Sequence, residues 1–379
     1  MLSSFSAIWL EFVSVIMSFI MSFGTLFGIY VPPTTSSPED YLGDNIKNVI
    51  YLIGDGMGFY HLQKTKNERD IELTMDDFEI RGNSMTRSFS NAVTDSAAGG
   101  TALATGVRTM NSAIGVYPMD ITATFSYPKN ITELCSERGM LTGVITTDET
   151  SGATPASFSA HSSDRGNTED ITMDQFRSTI DLIWGTANGF ATKSTARSYG
   201  YTYVTTYDEM MALEEGSRSF AQFTNDLWTL EQSDANTPNL EQMTKKAIDI
   251  LDDTEEGFFL MVEGAHIDKH SHNNDDDKMT EALQEFDETI EYVLEYAKAD
   301  GETLVVITAD HETGAIKAND DGTYSFTQGS HSAANVPVLI YGSKDIIQNG
   351  ETLNNYEIPI RIAYALGFTE DQFPYEVAA

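Results

Sequence analysis

Cysteine is nearly absent. The chain of 379 residues holds one, Cys135, so no disulfide can form within it and the fold must rest on its core or on metals. Cys135 falls in an expected helix, Ile131–Arg138, with no histidine beside it in sequence, and reads as a buried inert thiol rather than a nucleophile. Positive charge is scarce as well: 22 Lys plus Arg stand against 58 Asp plus Glu, a net charge of −36. That field repels a phosphate backbone and excludes general affinity for nucleic acid. The acid excess suits a hydrated surface in salt, or simply solubility. A protein this acidic that took an anion would have to cancel its own field locally, which metal ions would do.

Hydrophobic residues make up 41% of the chain, enough for a core. Residues 5–31 are mostly apolar, with Glu11 the only charge. The length could span a membrane or serve export, although no basic segment precedes it and no small-x-small site follows. We expect a signal peptide or signal anchor over residues 1–31, and hence a periplasmic or extracellular protein with membrane association through residues 5–31. The alternative is a start codon placed too far upstream. Residues 32–44, which open Pro32-Pro33-Thr34, read as a linker. One folded domain is expected over residues 45–379.

Within that domain apolar runs alternate with helical patterns, the signature of an α/β fold. The expectation is a three-layer sandwich: a central, mostly parallel sheet flanked by helices on both faces. Buried strands are expected at Asn48–Ile53, Leu141–Thr147, Gly257–Met261, Thr303–Thr308 and Val336–Tyr341. Met279, Leu283, Phe286, Ile290 and Val293 form the core stripe of a long helix opened by the acidic run Asn273–Asp277. Leu240–Asp252 and Asn354–Leu366 read as further helices. Residues 166–239 are less regular and read as helices and loops over one sheet edge, as a lid or dimer contact.

Polar bursts follow the strands, where open α/β sheets place their ligands. The organising one is Val262-Glu263-Gly264-Ala265-His266-Ile267-Asp268-Lys269-His270-Ser271-His272. Glu263, Asp268 and His272 are the oxygen and imidazole donors that hold Mg²⁺ and Zn²⁺. Asp55 sits in the glycine turn Gly54–Gly58, Asp310 and His311 end another strand, and His331 precedes the last. Each of these histidines is expected in a loop beside a strand. Ser96 opens a close-packed helix, either as its N-cap or as a nucleophile at a positive helix end. Thr154 precedes Pro155 as an N-cap or a weak oxygen ligand, and Arg165 is a surface residue or a planar clamp for phosphate. Together the donors would suffice for two transition metals and a harder third ion, an arrangement suited to in-line displacement.

From Asn45 to the C-terminal helix the chain resembles the alkaline phosphatases. The resemblance rests on GDGMG at 54–58, TDSAAGGTALATG at 94–106, ATPA at 153–156 with Arg165, VEGAHIDKHSH at 262–272, TADHETG at 308–314 and GSHSAANVP at 329–337. It implies hydrolysis of phosphate monoesters at alkaline pH through a phosphoserine at Ser96, with Arg165 gripping two phosphate oxygens. It also implies one Zn²⁺ on Asp268, His272 and His331, a second on Asp55, Asp310 and His311, and Mg²⁺ on Asp55, Thr154 and Glu263. Lys269 resembles an amine that reaches the phosphate through water. Gly152 departs from the family, where many relatives carry Asp or His, and implies a weaker or more hydrated Mg²⁺ site. Small phosphate monoesters are the implied substrates and a homodimer the implied assembly. His266 and His270 are extra, either facing solvent or packed behind the ligands, and His270 could join a metal. The competing readings are another hydrolase or phosphomutase of the superfamily, or a non-catalytic Zn²⁺ or phosphate binder. A sulfatase is disfavoured, because Ala97-Ala98-Gly99-Gly100 follows Ser96 where C/S-x-P-x-R would be needed.

Overall fold

The computed structural model describes residues 46–118, 127–252 and 254–374. The apolar stretch 5–31 and the linker 32–44 lie outside the described residues. In chain order the strands are β1 Asn48–Gly54, β2 Ile80–Met85, β3 Leu141–Glu149, β4 Leu182–Thr186, β5 Thr202–Val204, β6 Ser219–Phe223 and β7 Phe258–Gly264. They continue with β8 Thr303–Thr308, β9 Glu312–Thr313, β10 Lys317–Ala318, β11 Tyr324–Ser325, β12 His331–Ser332, β13 Val336–Tyr341 and β14 Thr352–Asn354. Ten of them form one sheet in the order β14-β2-β13-β8-β1-β7-β3-β4-β6-β5. All pairings in it are parallel except those of β13 with β2 and β8.

The central strands are apolar at successive positions, so both faces must be covered. Alternation decides which residue goes where. Ile50 and Leu52 of β1 pack on one face with Met243, Leu283 and Phe286 from the helices Leu240–Leu251 and Asp276–Asp300. Val49, Tyr51 and Ile53 pack on the other with Leu103, Leu134 and Ile362 from the helices Ser96–Thr105, Ile131–Arg138 and Glu357–Ala365. This is the expected three-layer α/β sandwich. Each fully buried Leu or Phe stabilises the fold by about 1.5–3 kcal/mol relative to exposure.

The segment 166–239 differs from expectation. It contributes β4, β5 and β6, which extend the sheet beyond β3. These strands have 5, 3 and 5 residues, too short for a periodic signal to stand out from loop. The closing helix is also shorter than expected, because Thr352–Asn354 pairs with β2 as an edge strand.

Strand register decides which side chains share the sheet edge. Ile53 lies opposite Glu263 on one side and Thr308 on the other, and Thr146 of β3 lies opposite Glu263. The carboxyl ends of β3, β7, β1 and β8 are therefore level. Asp55, Glu263 and Asp310 emerge within one or two residues of that line.

Candidate active site and metal centres

The helix Ser96–Thr105 begins at this edge. Its N-cap is Asp95, whose Oδ1 accepts from the Ala98 N–H at 3.0 Å. Ser96 therefore occupies the first helical position, and its hydroxyl is free of the capping role that the sequence left open. The helix packs tightly because its small residues allow it. A β-carbon on Gly99 would stand 2.9 Å from the Asp310 carbonyl oxygen, and one on Gly100 would stand 3.0 Å from Ser157 Oγ.

Buried Ser96 places its Oγ 3.1 Å from His311 Nε2. The hydrogen-bond network orients that imidazole. The Thr313 hydroxyl donates to Asp268 Oδ1, so its oxygen accepts from His311 Nδ1–H at 3.2 Å. Nε2 is left with its lone pair, 3.2 Å from Asp310 Oδ2 and 3.5 Å from Asp55 Oδ1. Both oxygens are buried without any hydrogen-bond partner. Asp310 is held from its other oxygen, which accepts from the N–H groups of Gly56 at 3.1 Å and His311 at 2.9 Å. Gly56 must be glycine. Its φ is +73°, and a β-carbon would meet Asp268 Cβ at 2.8 Å.

A second cluster lies alongside. Asp268 and His272 stand one turn apart on the helix His266–His272, not in the loop that the sequence suggested. His331 sits on β12, which pairs with β9. His272 Nδ1–H donates to the Gly329 carbonyl at 2.9 Å and His331 Nδ1–H to the Thr94 carbonyl at 3.0 Å. The two Nε2 lone pairs then face each other at 3.0 Å, and Asp268 oxygens lie 3.4 and 3.6 Å from them. Ring nitrogens tied to carbonyls on one side and bare on the other are what oriented metal-binding histidines look like.

These groups fit cations and little else. Asp268, His272 and His331 bring one donor atom each to within 4.8 Å of one another, and Asp55, Asp310 and His311 do the same. Burial, then the charges of Asp310, Asp268 and Glu263, pushes Asp55 well above the carboxylate range. Burial likewise raises Asp310, and burial followed by His331 pulls His311 well down. Dications reverse that penalty. Beyond Asp55 a third group of donors is all oxygen. Thr154 Oγ1 is buried beside Glu263, and Glu263, which accepts from the Thr146 hydroxyl, is pushed up to about 8 by burial and by Asp148. Such a set suits a hard ion.

The family model for alkaline phosphatase matches residues 46–181 and 186–348. The chain belongs to the alkaline phosphatase family. It is 35% identical over 298 residues to alkaline phosphatase 4 of Bacillus subtilis, a match covering 73% of this chain and 64% of that one. The match thus spans a little under two thirds of that relative's length. Among solved structures it resembles the alkaline phosphatase of the Antarctic bacterium TAB5, with a TM-score of 0.75 and 31% identity over 86% of this chain and 99% of that one. A variant of that enzyme with Mg bound in its M3 site superposes with a TM-score of 0.73 and 30% identity, over 86% of this chain and 99% of the variant. An α/β architecture with metal-binding groups at one sheet edge is what this membership entails.

Arg165 stands at the rim, 40% exposed, with Nη1 3.5 Å from Asp95 Oδ2. Lys269 forms an ion pair with Asp148. The other histidines are elsewhere engaged. His161 bonds Gly115 O at 2.7 Å and Glu133 at 3.2 Å, and His266 and His270 pack against Trp228 with ring centroids 5.5 and 4.4 Å away. His270 belongs to neither donor cluster among the described residues. Four contributors went unread in the sequence: Asp95, Thr146, Asp148 and Thr313. Asp95 precedes Ser96 and could have been recognised as the stronger cap; the rest act through side-chain contacts that exist only once the chain is folded.

Proposed function

We propose that this chain hydrolyses phosphate monoesters at alkaline pH in two displacements, through a phosphoserine at Ser96. Zn²⁺ would be held by Asp268, His272 and His331 and by Asp55, Asp310 and His311, and Mg²⁺ by Asp55, Thr154 and Glu263. The observation that carries this reading is the Ser96 hydroxyl, uncapped at a helix N-terminus and in contact with the His311 lone pair. When bound, the metals would lower the pKa of the hydroxyl groups beside them and offset charge on the phosphoryl oxygens.

Ser96 Oγ gives up its proton to solvent and attacks phosphorus while the bond to the alcohol breaks and the departing oxygen takes a proton from water. Water then attacks the same phosphorus and the Ser96 O–P bond breaks, so two inversions retain configuration. Arg165 offers two parallel N–H groups to non-bridging oxygens, and Asp95 holds its guanidinium near the serine it precedes. The helix N-terminus adds backbone N–H groups to the same charge. Arg165, Lys269 and His272 side chains are 40, 41 and 39% exposed, which favours small soluble esters over one enclosed substrate.

The same proposal takes residues 45–379 as one catalytic domain, exported to the periplasm or beyond and working as a homodimer. Export rests on the apolar stretch 5–31 and the dimer on family resemblance. Among the described residues no helix is long and apolar enough to cross a membrane. The test is p-nitrophenyl phosphate hydrolysis at alkaline pH before and after EDTA, then with Zn²⁺ and Mg²⁺ restored. Turnover should vanish with chelation and return with both metals. A folded, metal-loaded protein without turnover would favour the binding-protein reading.

A further inference from the structure

Gly152 is crowded by a neighbouring side chain rather than constrained by its backbone. Its φ of −52° and ψ of 155° are open to any residue. A β-carbon there would stand 2.7 Å from Asp148 Oδ2, closer than non-bonded atoms approach, and 3.0 Å from the Glu149 carbonyl oxygen, a tight contact. The space beside position 152 is already filled by a carboxylate from four residues earlier.

That carboxylate is tied to the site twice. Its Oδ1 pairs with Lys269, the residue after Asp268. The Asp148 N–H donates to Thr146 Oγ1 at 2.8 Å, and the Thr146 hydroxyl donates to Glu263 Oε2. One short length of β3 thus grips the lysine at the mouth of the site and the buried glutamate beneath it. The Asp148 side chain is 24% exposed.

We infer that Asp148 is a positioning residue for both Lys269 and the Mg²⁺ site, supplying from β3 the negative charge that position 152 lacks. The inference rests on the reading of Glu263 and Thr154 as Mg²⁺ ligands. Asp148 adds charge next to Glu263, which favours a dication. It also holds the Lys269 ammonium back from an anion on the metals, which favours release of product phosphate.

Asp148→Asn keeps the shape and removes the charge. Calorimetric titration of Mg²⁺ into the Zn²⁺-loaded enzyme should show affinity falling at least about tenfold, the scale on which groups behind the ligands act. The inhibition constant for inorganic phosphate should fall roughly two- to fivefold, the range an exposed ion pair commands. The melting temperature should hardly move. Moving the carboxylate in Asp148→Ala/Gly152→Asp should recover Mg²⁺ affinity that Asp148→Ala alone loses. Glu263→Gln is the control. If Glu263→Gln abolishes Mg²⁺ binding while Asp148→Asn matches wild type in both constants, the inference is wrong and the ligand reading stands. A double variant no better than Asp148→Ala would also overturn it. Should Glu263→Gln bind Mg²⁺ like wild type, the ligand reading fails and takes the inference with it.

Discussion

Asp95 caps the helix that Ser96 begins. The Asp95 carboxylate takes the Ala98 N–H at 3.0 Å through one oxygen and the Ser112 N–H at 2.9 Å through the other, and that second oxygen lies 3.5 Å from Arg165. One side chain therefore starts the helix, releases the serine hydroxyl and holds the arginine beside it. Ser96→Ala should leave the fold and metal content unchanged, since the cap is intact, and cost three or more orders of magnitude in kcat, as loss of a nucleophile does elsewhere. Metal analysis beside initial-rate kinetics checks this. A variant within tenfold of wild type would exclude the serine pathway.

Arg165→Ala tests the clamp. The residue is at the rim, so the melting temperature should stay within a degree or two. Charge-assisted hydrogen bonds to phosphate contribute about 1.5–3 kcal/mol, which predicts a loss of roughly ten- to a hundredfold in kcat/KM. Phosphate inhibition should weaken in parallel. A change in kcat/KM without weaker phosphate inhibition would argue against direct contact.

Gly99→Ala sets two effects against each other. Alanine in a helix interior is favoured over glycine by about 1 kcal/mol. The added β-carbon, however, would stand 2.9 Å from the Asp310 carbonyl oxygen and 3.1 Å from Asp310 Cβ. The helix or Asp310 must give by several tenths of an ångström, and misplacement on this scale costs about ten- to a hundredfold in rate. Overpacking of this kind costs about 1–3 kcal/mol, which offsets or outweighs the propensity gain, so the metal-free protein should melt at or below wild type while activity falls, as scanning calorimetry and kinetics would show. Full activity with wild-type Zn²⁺ affinity would mean that the packing is looser than the geometry indicates.

His61, packed behind the donor clusters, gives the fold an acid-sensitive point. Its Nδ1 accepts from the Gly58 N–H at 3.1 Å and its Nε2–H faces Ser271 Oγ at 3.1 Å, in full burial. Burial lowers its pKa from 6.5 to about 3. Between those values the unfolded chain binds a proton that the folded chain does not. Stability from this residue is complete above about pH 6.5 and declines as pH falls toward 3, by up to about 1.4 kcal/mol per unit. Urea titrations of wild type and His61→Gln should differ in slope over that window and run parallel above pH 7. Parallel curves throughout would show that His61 is not the sensitive group.

The site was more legible than the fold around it. Asp55, Asp310 and His311 stand at strand ends whose apolar runs are plain in sequence, and a parallel sheet can only bring such ends together. Asp268 and His272 were legible as a donor pair but not as helical, because a seven-residue helix crowded with polar side chains lacks a core stripe. β4, β5 and β6 went unread for a related reason: three to five residues give alternation no length in which to show. Asp148 is the instructive miss. Gly152 stood out in sequence as a missing side chain, but the carboxylate filling its space comes from four residues away and is visible only once β3 is folded.

The central claim is a covalent bond between phosphorus and Ser96 Oγ. Incubating the Zn²⁺- and Mg²⁺-loaded enzyme with inorganic phosphate at mildly acidic pH, quenching in acid and mapping peptides by mass spectrometry would test it most directly. One phosphoryl group should appear on Ser96, and it should be absent after EDTA treatment and from Ser96→Ala. An active enzyme that yields no phosphopeptide, or carries the phosphate on another residue, would contradict the account.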